Sequence, residues 1–245
     1  MISFVIPAHN EERWIGPTLQ SVFASARAAG EPFEVVVVDD ASTDRTAAVA
    51  AEHGARVVRV GHRQIAATRN AGARAARGDI LFFVDADTLA DPAAVRAGLR
   101  VVRNGAAGGG CLPRFDRPLP LGWRLVYPFM TLGFRLARAT GGCFLFCSAA
   151  AYRASGGFPE ELFASEELVF IRRLKRVGRF VVLGPTVVTS GRKLDVVTVR
   201  RFARLVLFWL RNPDAGRTRE GLDLWYGEIA RPGRPGERGR EPPDG

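Results

Sequence analysis

Ile80-Leu81-Phe82-Phe83-Val84-Asp85-Ala86-Asp87 joins an unbroken apolar run to two carboxylates. With Gly78-Asp79 before it and Thr88 after it, the run reads as a buried strand ending at a turn. Carboxylates at such a strand end need a partner, because desolvating a charge is costly. A divalent cation carrying a phosphorylated ligand would serve, since hard oxygen donors suit Mg²⁺ and Mn²⁺. An earlier run, Val35-Val36-Val37-Val38, ends in Asp39-Asp40. The two acid-tipped strands lie about one strand–helix–strand unit apart. They predict a single crevice at the carboxyl edge of a parallel sheet.

The flanking pattern supports that expectation. Strands are predicted over 2–6, 33–38, 56–60 and 80–84, with helices between them. The first helix is expected to open at Asn10 as N-cap and to end at Gly30. The second is expected to be capped by Ser42 or Thr43, and the third runs through Ala-rich residues 65–76. This order predicts an α/β fold, a mostly parallel, doubly wound sheet with helices on both faces. Beyond it come a helix from Pro92 to about Arg103, a loose stretch over 105–110 and strands near 111–114 and 143–148. A helix over 166–177 and one late strand over 180–188 follow. Residues 118–139 mix aromatics with arginines and read as a helical insertion covering an acceptor cleft.

Composition narrows the class. The 245 residues are 47% hydrophobic, enough for one sizeable core, and carry a net charge of +10. The basic excess favours anionic partners such as nucleotide phosphates or an acidic membrane surface; no nucleic-acid partner is expected. Cys111, Cys143 and Cys147 have no metal-ligand spacing and are odd in number, which fits a reducing, cytoplasmic compartment. No signal peptide or membrane-spanning run is read. The stretch from Val196 to Arg211 is both apolar and basic. It reads either as an interfacial helix on the inner face of an anionic membrane, making the protein peripheral, or as a helix packed on the core.

The ordered set of short motifs resembles the family-2 glycosyltransferases of GT-A fold, which use nucleotide-diphosphate sugars. Its pieces are residues 5–12 (Val-Ile-Pro-Ala-His-Asn-Glu-Glu), 38–44 (Val-Asp-Asp-Ala-Ser-Thr-Asp), Arg69-Asn70-Ala71-Gly72 and Asp85-Ala86-Asp87. Gly141-Gly142, Gly156-Gly157-Phe158 and Glu166-Glu167 with Arg173 come later. The resemblance covers roughly residues 2–190. It implies a transferase domain over 1–190, with a nucleotide-sugar half over 1–104 and an acceptor half over 105–190. A basic apolar extension over 191–229 and a disordered tail over 230–245 would follow.

The resemblance also implies roles. Pro7, Ala8 and Glu11 would lie beside the base and ribose, and Asp39 and Asp40 would contact the uracil–ribose portion. Arg63 would reach base or phosphates. Asp85-Ala86-Asp87 would be the DxD motif, with Asp87 the direct metal ligand and Asp85 beside it. The catalytic base would be Glu167, with Glu166 as the second choice; the family's usual residue at this place is Asp. The implied reaction is metal-dependent and inverting. It takes a nucleotide-diphosphate sugar, UDP-linked by preference, to an acceptor hydroxyl that is lipid-linked or belongs to the cell envelope.

Other readings remain beside it. Glu166-Glu167 also reads as a pair of first-turn acids favoured by the helix dipole, Arg63 and Arg69 as solvated arginines, and Gly72 as a close-packing glycine. A sugar-nucleotide pyrophosphorylase would carry a Gly-rich basic loop after the first strand, where this chain has Pro7-Ala8-His9-Asn10-Glu11-Glu12. The G-x-G-x-x-G of a dinucleotide enzyme is absent there. A non-catalytic nucleotide-sugar-binding protein stays as the remaining alternative.

Overall fold

Strict alternation along the central strands sends neighbouring side chains to opposite faces, so one apolar run serves two cores. In the computed structural model, which describes residues 1–195 and 197–211, β1 (Ile2–Ala8) points Phe4 and Ile6 one way and Val5 the other. β4 (Ile80–Val84) divides likewise, with Phe82 and Val84 against Leu81 and Phe83. One core takes the apolar faces of α1 (Ile15–Ala28), α2 (Thr46–Glu52) and α4 (Pro92–Arg103). The other takes α3 (Ile65–Ala75), α6 (Ala149–Ser155) and α7 (Glu166–Val177).

The main sheet has seven strands in the order β3-β2-β1-β4-β8-β6-β9. Here β2 is Phe33–Asp40, β3 Arg56–Val60, β6 Gly108–Gly110, β8 Phe144–Ser148 and β9 Phe180–Val182. β1 to β4 are mutually parallel, and only β8 runs against its neighbours. The chain order reverses between β1 and β4, so the crevice beyond their carboxyl ends is a topological switch point. A second sheet, β5-β10-β7, joins β5 (Thr88–Leu89), β10 (Val187–Thr189) and β7 (Pro113–Phe115) beside that crevice. α5 (Leu121–Leu136) and α8 (Val199–Arg211) pack against each other through Trp123 and Phe202, whose ring centroids are 5.3 Å apart. Residues beyond 211, including the expected tail and residues 212–229 of the expected extension, lie outside the described residues.

Several local expectations need correction. The stretch 105–110 is not simply loose: Gly108–Gly110 form a strand inside the sheet. Glycine is required there, since an added Cβ would fall 2.9 Å from Cys147 Cβ at Gly108 and 2.8 Å from the Phe144 carbonyl at Gly110. The predicted late strand is two strands, β9 and β10, in different sheets. Asn10 does not cap α1. It sits at φ +55° and accepts a hydrogen bond from the Thr43 amide at 2.8 Å, while α1 starts at Ile15. For α2 neither Ser42 nor Thr43 is the cap: the N-cap position is Arg45, which makes no side-chain cap bond, and Asp44 just before it accepts from the Thr46 amide at 2.9 Å. The three cysteines are buried and unbridged, and burial pushes each thiol up, as suits inert apolar filler.

Gly72 sets how near α3 approaches the sheet. A Cβ there would lie 2.8 Å from Val38 Cγ2 and closer still to Val5. Gly72→Ala should gain about 1 kcal/mol of helix propensity and lose about 1–3 kcal/mol to overpacking. A net loss in urea unfolding is therefore expected, and a larger one for Gly72→Leu. A stabilised Gly72→Ala would show that α3 has room to spare.

Candidate active site

The acids at the carboxyl edge are not equivalent. Asp40 is buried and takes hydrogen bonds from the Arg63 amide (2.8 Å), the Gln64 amide (3.1 Å) and the Thr68 hydroxyl (2.7 Å). It therefore holds the bend that starts α3, where Arg63 adopts φ +51°. Asp39 is equally buried, but among the described residues its Oδ1 has no hydrogen-bond partner. A buried carboxylate oxygen in that state needs a donor from outside the chain. In the sheet register Asp39 lies beside Ala8, and Val38 beside Pro7, so the ends of β1 and β2 form one floor.

The loop after β1 is stitched to the loop after β2. The Asn10 amide donates to Ser42 Oγ (3.0 Å), the Glu11 amide to Thr46 Oγ1 (2.7 Å) and the Glu12 amide to Asp44 (3.1 Å). This fixes Glu11 on the crevice wall. Its carboxylate receives both terminal nitrogens of Arg192, at 2.8 and 2.5 Å. The same guanidinium reaches Asp87 Oδ2 at 3.1 Å and lies over the Trp14 ring. Burial works against the Arg192 charge, but Glu11 and Asp87 outweigh it and raise its pKa. Arg192 is held near Asp87 by backbone as well. The Ser190 amide donates to the Asp87 carbonyl (3.1 Å), and Thr189 of β10 faces Thr88 of β5.

Asp85 belongs to a second ion network. Arg69, on α3, is 2% exposed; it donates to Asp85 at 2.8 Å, to Glu166 at 2.8 Å and to the Gly142 carbonyl at 3.3 Å. Burial again opposes the charge, while Asp85 and Glu166 raise the Arg69 pKa by more. Gly142 passes so near that a Cβ would stand 3.0 Å from Arg69 Nη2. Ala86, between the two acids, contributes backbone: its carbonyl accepts from the Thr18 hydroxyl at 2.8 Å.

Glu166 and Glu167 open α7, so both sit in its positive first turn. Glu166 is committed to Arg69. Glu167 keeps partial solvent exposure. Burial of its carboxyl, with Glu166 adding repulsion against the pull of Arg69, pushes it up to about 8. Glu166 is thus engaged in an ion pair, and its neighbour Glu167 carries the raised pKa.

The crevice therefore gathers Pro7, Ala8, Glu11, Asp39, Asp85, Ala86 and Asp87, with Glu166 joined to it through Arg69. Arg63 is an exposed residue at the bend before α3 that Asp40 holds. His9 and His53 hydrogen-bond the Asp40 and Val49 carbonyls (2.8 and 2.9 Å). Among the described residues no three His, Cys, Asp or Glu side chains gather into a metal cage. One or two carboxylates are nonetheless what Mg²⁺ needs when phosphates and water complete its shell, so Asp85 and Asp87 fit that role. Arg192 was not singled out in sequence. The surplus of strand-end acids is the signal that a cation must come from elsewhere in the chain.

Known proteins were compared with this chain. The sequence model described as Glycosyl transferase family 2 matches residues 3–155. An undecaprenyl-phosphate 4-deoxy-4-formamido-L-arabinose transferase of Pseudomonas paraeruginosa is 34% identical over 170 residues, covering 63% of this chain and 48% of the relative. A validoxylamine A glucosyltransferase of Streptomyces hygroscopicus subsp. limoneus is 38% identical over 104 residues, 40% of this chain and 22% of the relative. The chain spans less than half the length of these curated relatives. A Pyrobaculum calidifontis mannosyltransferase in complex with GDP-Man and Mn²⁺ superposes with a TM-score of 0.63 at 18% identity, covering 93% of this chain and 69% of that one. Glucosyl-3-phosphoglycerate synthase of Mycobacterium tuberculosis, with Mn²⁺, UDP and phosphoglyceric acid, gives 0.58 at 22% identity, covering 88% and 78%. At such identities the likeness is one of fold, the GT-A type.

Arg192→Gln would leave Glu11 and Asp87 without the guanidinium they share. The ligand-free protein is expected to lose about 1–3 kcal/mol of stability, and added Mn²⁺ to stabilise the variant more than the wild type. Equal melting curves and equal metal responses would show that the pairing contributes nothing.

Proposed function

The chain belongs to glycosyl transferase family 2, and from that premise we propose that it transfers a sugar from a nucleotide-diphosphate donor, UDP-linked by preference, to an acceptor hydroxyl with inversion. The convergence of Asp39, Asp85 and Asp87 on the switch point, with the Glu166–Glu167 pair tied to it by Arg69, carries this reading. Asp39, with its unpartnered Oδ1, accepts a hydrogen bond from the nucleobase edge, while Pro7 and Ala8 line the base and ribose. Glu11 flanks them, Asp40 supports this floor by fixing the bend before α3, and Arg63 reaches toward the phosphates from that bend. Asp87, with Asp85 beside it, holds a divalent cation (Mn²⁺ or Mg²⁺). When bound, that cation offsets the charge growing on the leaving diphosphate.

Glu167 is the general base. It takes the acceptor's hydroxyl proton as the oxygen attacks the anomeric carbon. The bond from that carbon to the diphosphate oxygen breaks, and its electron pair leaves with the diphosphate. Attack from the opposite face inverts the configuration. Glu166, paired with Arg69, adds the repulsion that helps lift the Glu167 carboxyl into a range where it can both take and release a proton.

A second acceptor chemistry is favoured by the likeness to the Pseudomonas paraeruginosa relative, an undecaprenyl-phosphate transferase. A lipid phosphate oxygen is already ionised at neutral pH and needs no base. The two acceptors separate by pH. With a hydroxyl acceptor only ionised Glu167 is competent, so the rate should be low at pH 6 and rise through about 8, where that carboxyl loses its proton. With a phosphate acceptor the same limb should be flat.

Two variants test the assignment. Glu167→Gln is expected to slow transfer to a hydroxyl by about 10²–10⁴-fold with donor binding intact. Asp87→Ala should abolish Mn²⁺-dependent stabilisation by UDP in a thermal-shift panel of nucleotides. Full turnover and an unchanged metal response in Asp87→Ala would remove the transferase reading.

A further inference from the structure

α5 turns one face to solvent. Leu121, Leu125, Phe129, Leu132 and Leu136 recur at helical spacing, and each is between 54% and 77% exposed. Scattered apolar side chains on a surface are ordinary, whereas a contiguous stripe marks an interaction site. The opposite side of α5 is anchored. Trp123 is buried and donates to the Val197 carbonyl at 2.7 Å, and Tyr127 donates to the Pro113 carbonyl. The helix is thus a fixed part of the protein with an uncovered face. α8 beside it adds exposed Leu207 and Phe208.

The charge around the stripe has one sign. Arg124, Arg135 and Arg138 on and after α5, and Arg200, Arg201 and Arg204 on α8, are exposed. No Asp or Glu occurs between Asp116 and Glu160, or between Asp195 and Asp214. An apolar strip bordered by arginines that form no ion pair among the described residues suits a lipid surface with anionic headgroups: side chains enter the acyl boundary while guanidinium groups meet phosphates. A second protein would have to cover the same strip and supply acids for the arginines as well. Among the described residues no helix is long and apolar enough to cross a membrane, so the contact is one of lying on the bilayer.

We propose that α5 and α8 together form a docking face for an anionic phospholipid bilayer. The surface stands on exposure and charge alone and does not require the transferase reading. It deepens that reading, because α5 follows β7, β7 pairs with β10, and the turn after β10 carries Arg192 to Asp87. A docked protein would hold its crevice next to the headgroups, where a lipid-linked acceptor arrives.

The test is flotation of the full chain with vesicles of phosphatidylcholine alone and of phosphatidylcholine with phosphatidylglycerol. Binding to the anionic vesicles is expected, weakened at high salt. It should fall at least tenfold in the triple variant Leu125→Glu, Phe129→Glu, Leu132→Glu, whose changes lie on exposed positions and should leave the thermal melt and UDP-dependent stabilisation in place. Wild-type protein that floats with neither vesicle, or a triple variant that floats as well as wild type, overturns the proposal. So does a vesicle-free wild-type dimer, in sedimentation, that the triple variant converts to monomer, since the stripe would then belong to a second copy. Loss of UDP stabilisation in Asp87→Ala bears on the donor site only, so the two readings fail separately.

Discussion

A single guanidinium with almost no access to water ties the site together. Arg69 comes from α3 and pairs with Asp85 at the end of β4 and with Glu166 at the start of α7. Removing one partner from such a buried network costs about 3–5 kcal/mol, so all three positions constrain one another. Through this bridge the strand end read as the donor side and the helix start read as the acceptor side become one rigid unit. Arg69 pairs with Glu166 and leaves its neighbour Glu167 as the carboxyl pushed up by burial and by Glu166.

Two glycines make that bridge sterically possible. Gly72, one turn beyond Arg69, lets α3 settle onto Val5 and Val38, and Gly142 lets the turn leading into β8 pass the guanidinium. Asp40 fixes the start of α3 by capping the bend before it. Arg192 repeats the principle on the other side of the crevice, where one cation serves Glu11 and Asp87. The crevice is thus lined by acids whose repulsion is relieved by two arginines, from α3 and from the turn after β10.

The first half of the fold was legible because β1, β2 and β4 carry apolar runs of strand length separated by helices, and alternation explains their two buried faces; β3, at the sheet edge, is a mix of valine and arginine. The second half was less so. Gly108–Gly110 carries no side chain for a periodicity to act on, yet the crowding of neighbouring backbone is what makes it a strand. The run 180–188 is continuous in hydrophobicity, and only Gly184-Pro185, where it bends into the second sheet, betrays two strands. Asn10 has the chemistry of a cap, and its side chain does bind an amide, but across the crevice wall rather than at a helix end. The acids of the site announced themselves at strand ends. Their arginine partners did not, because a basic residue on an amphipathic helix or after a short strand looks solvated until the tertiary structure closes over it.

The most direct test of the central bridge is steady-state turnover of Arg69→Lys across pH. Lysine keeps the positive charge that folding needs, but one ammonium cannot hold both carboxylates as the forked guanidinium does. A folded Arg69→Lys protein with turnover reduced at least tenfold and a displaced pH midpoint is the predicted result. Wild-type turnover with an unchanged midpoint would contradict the account.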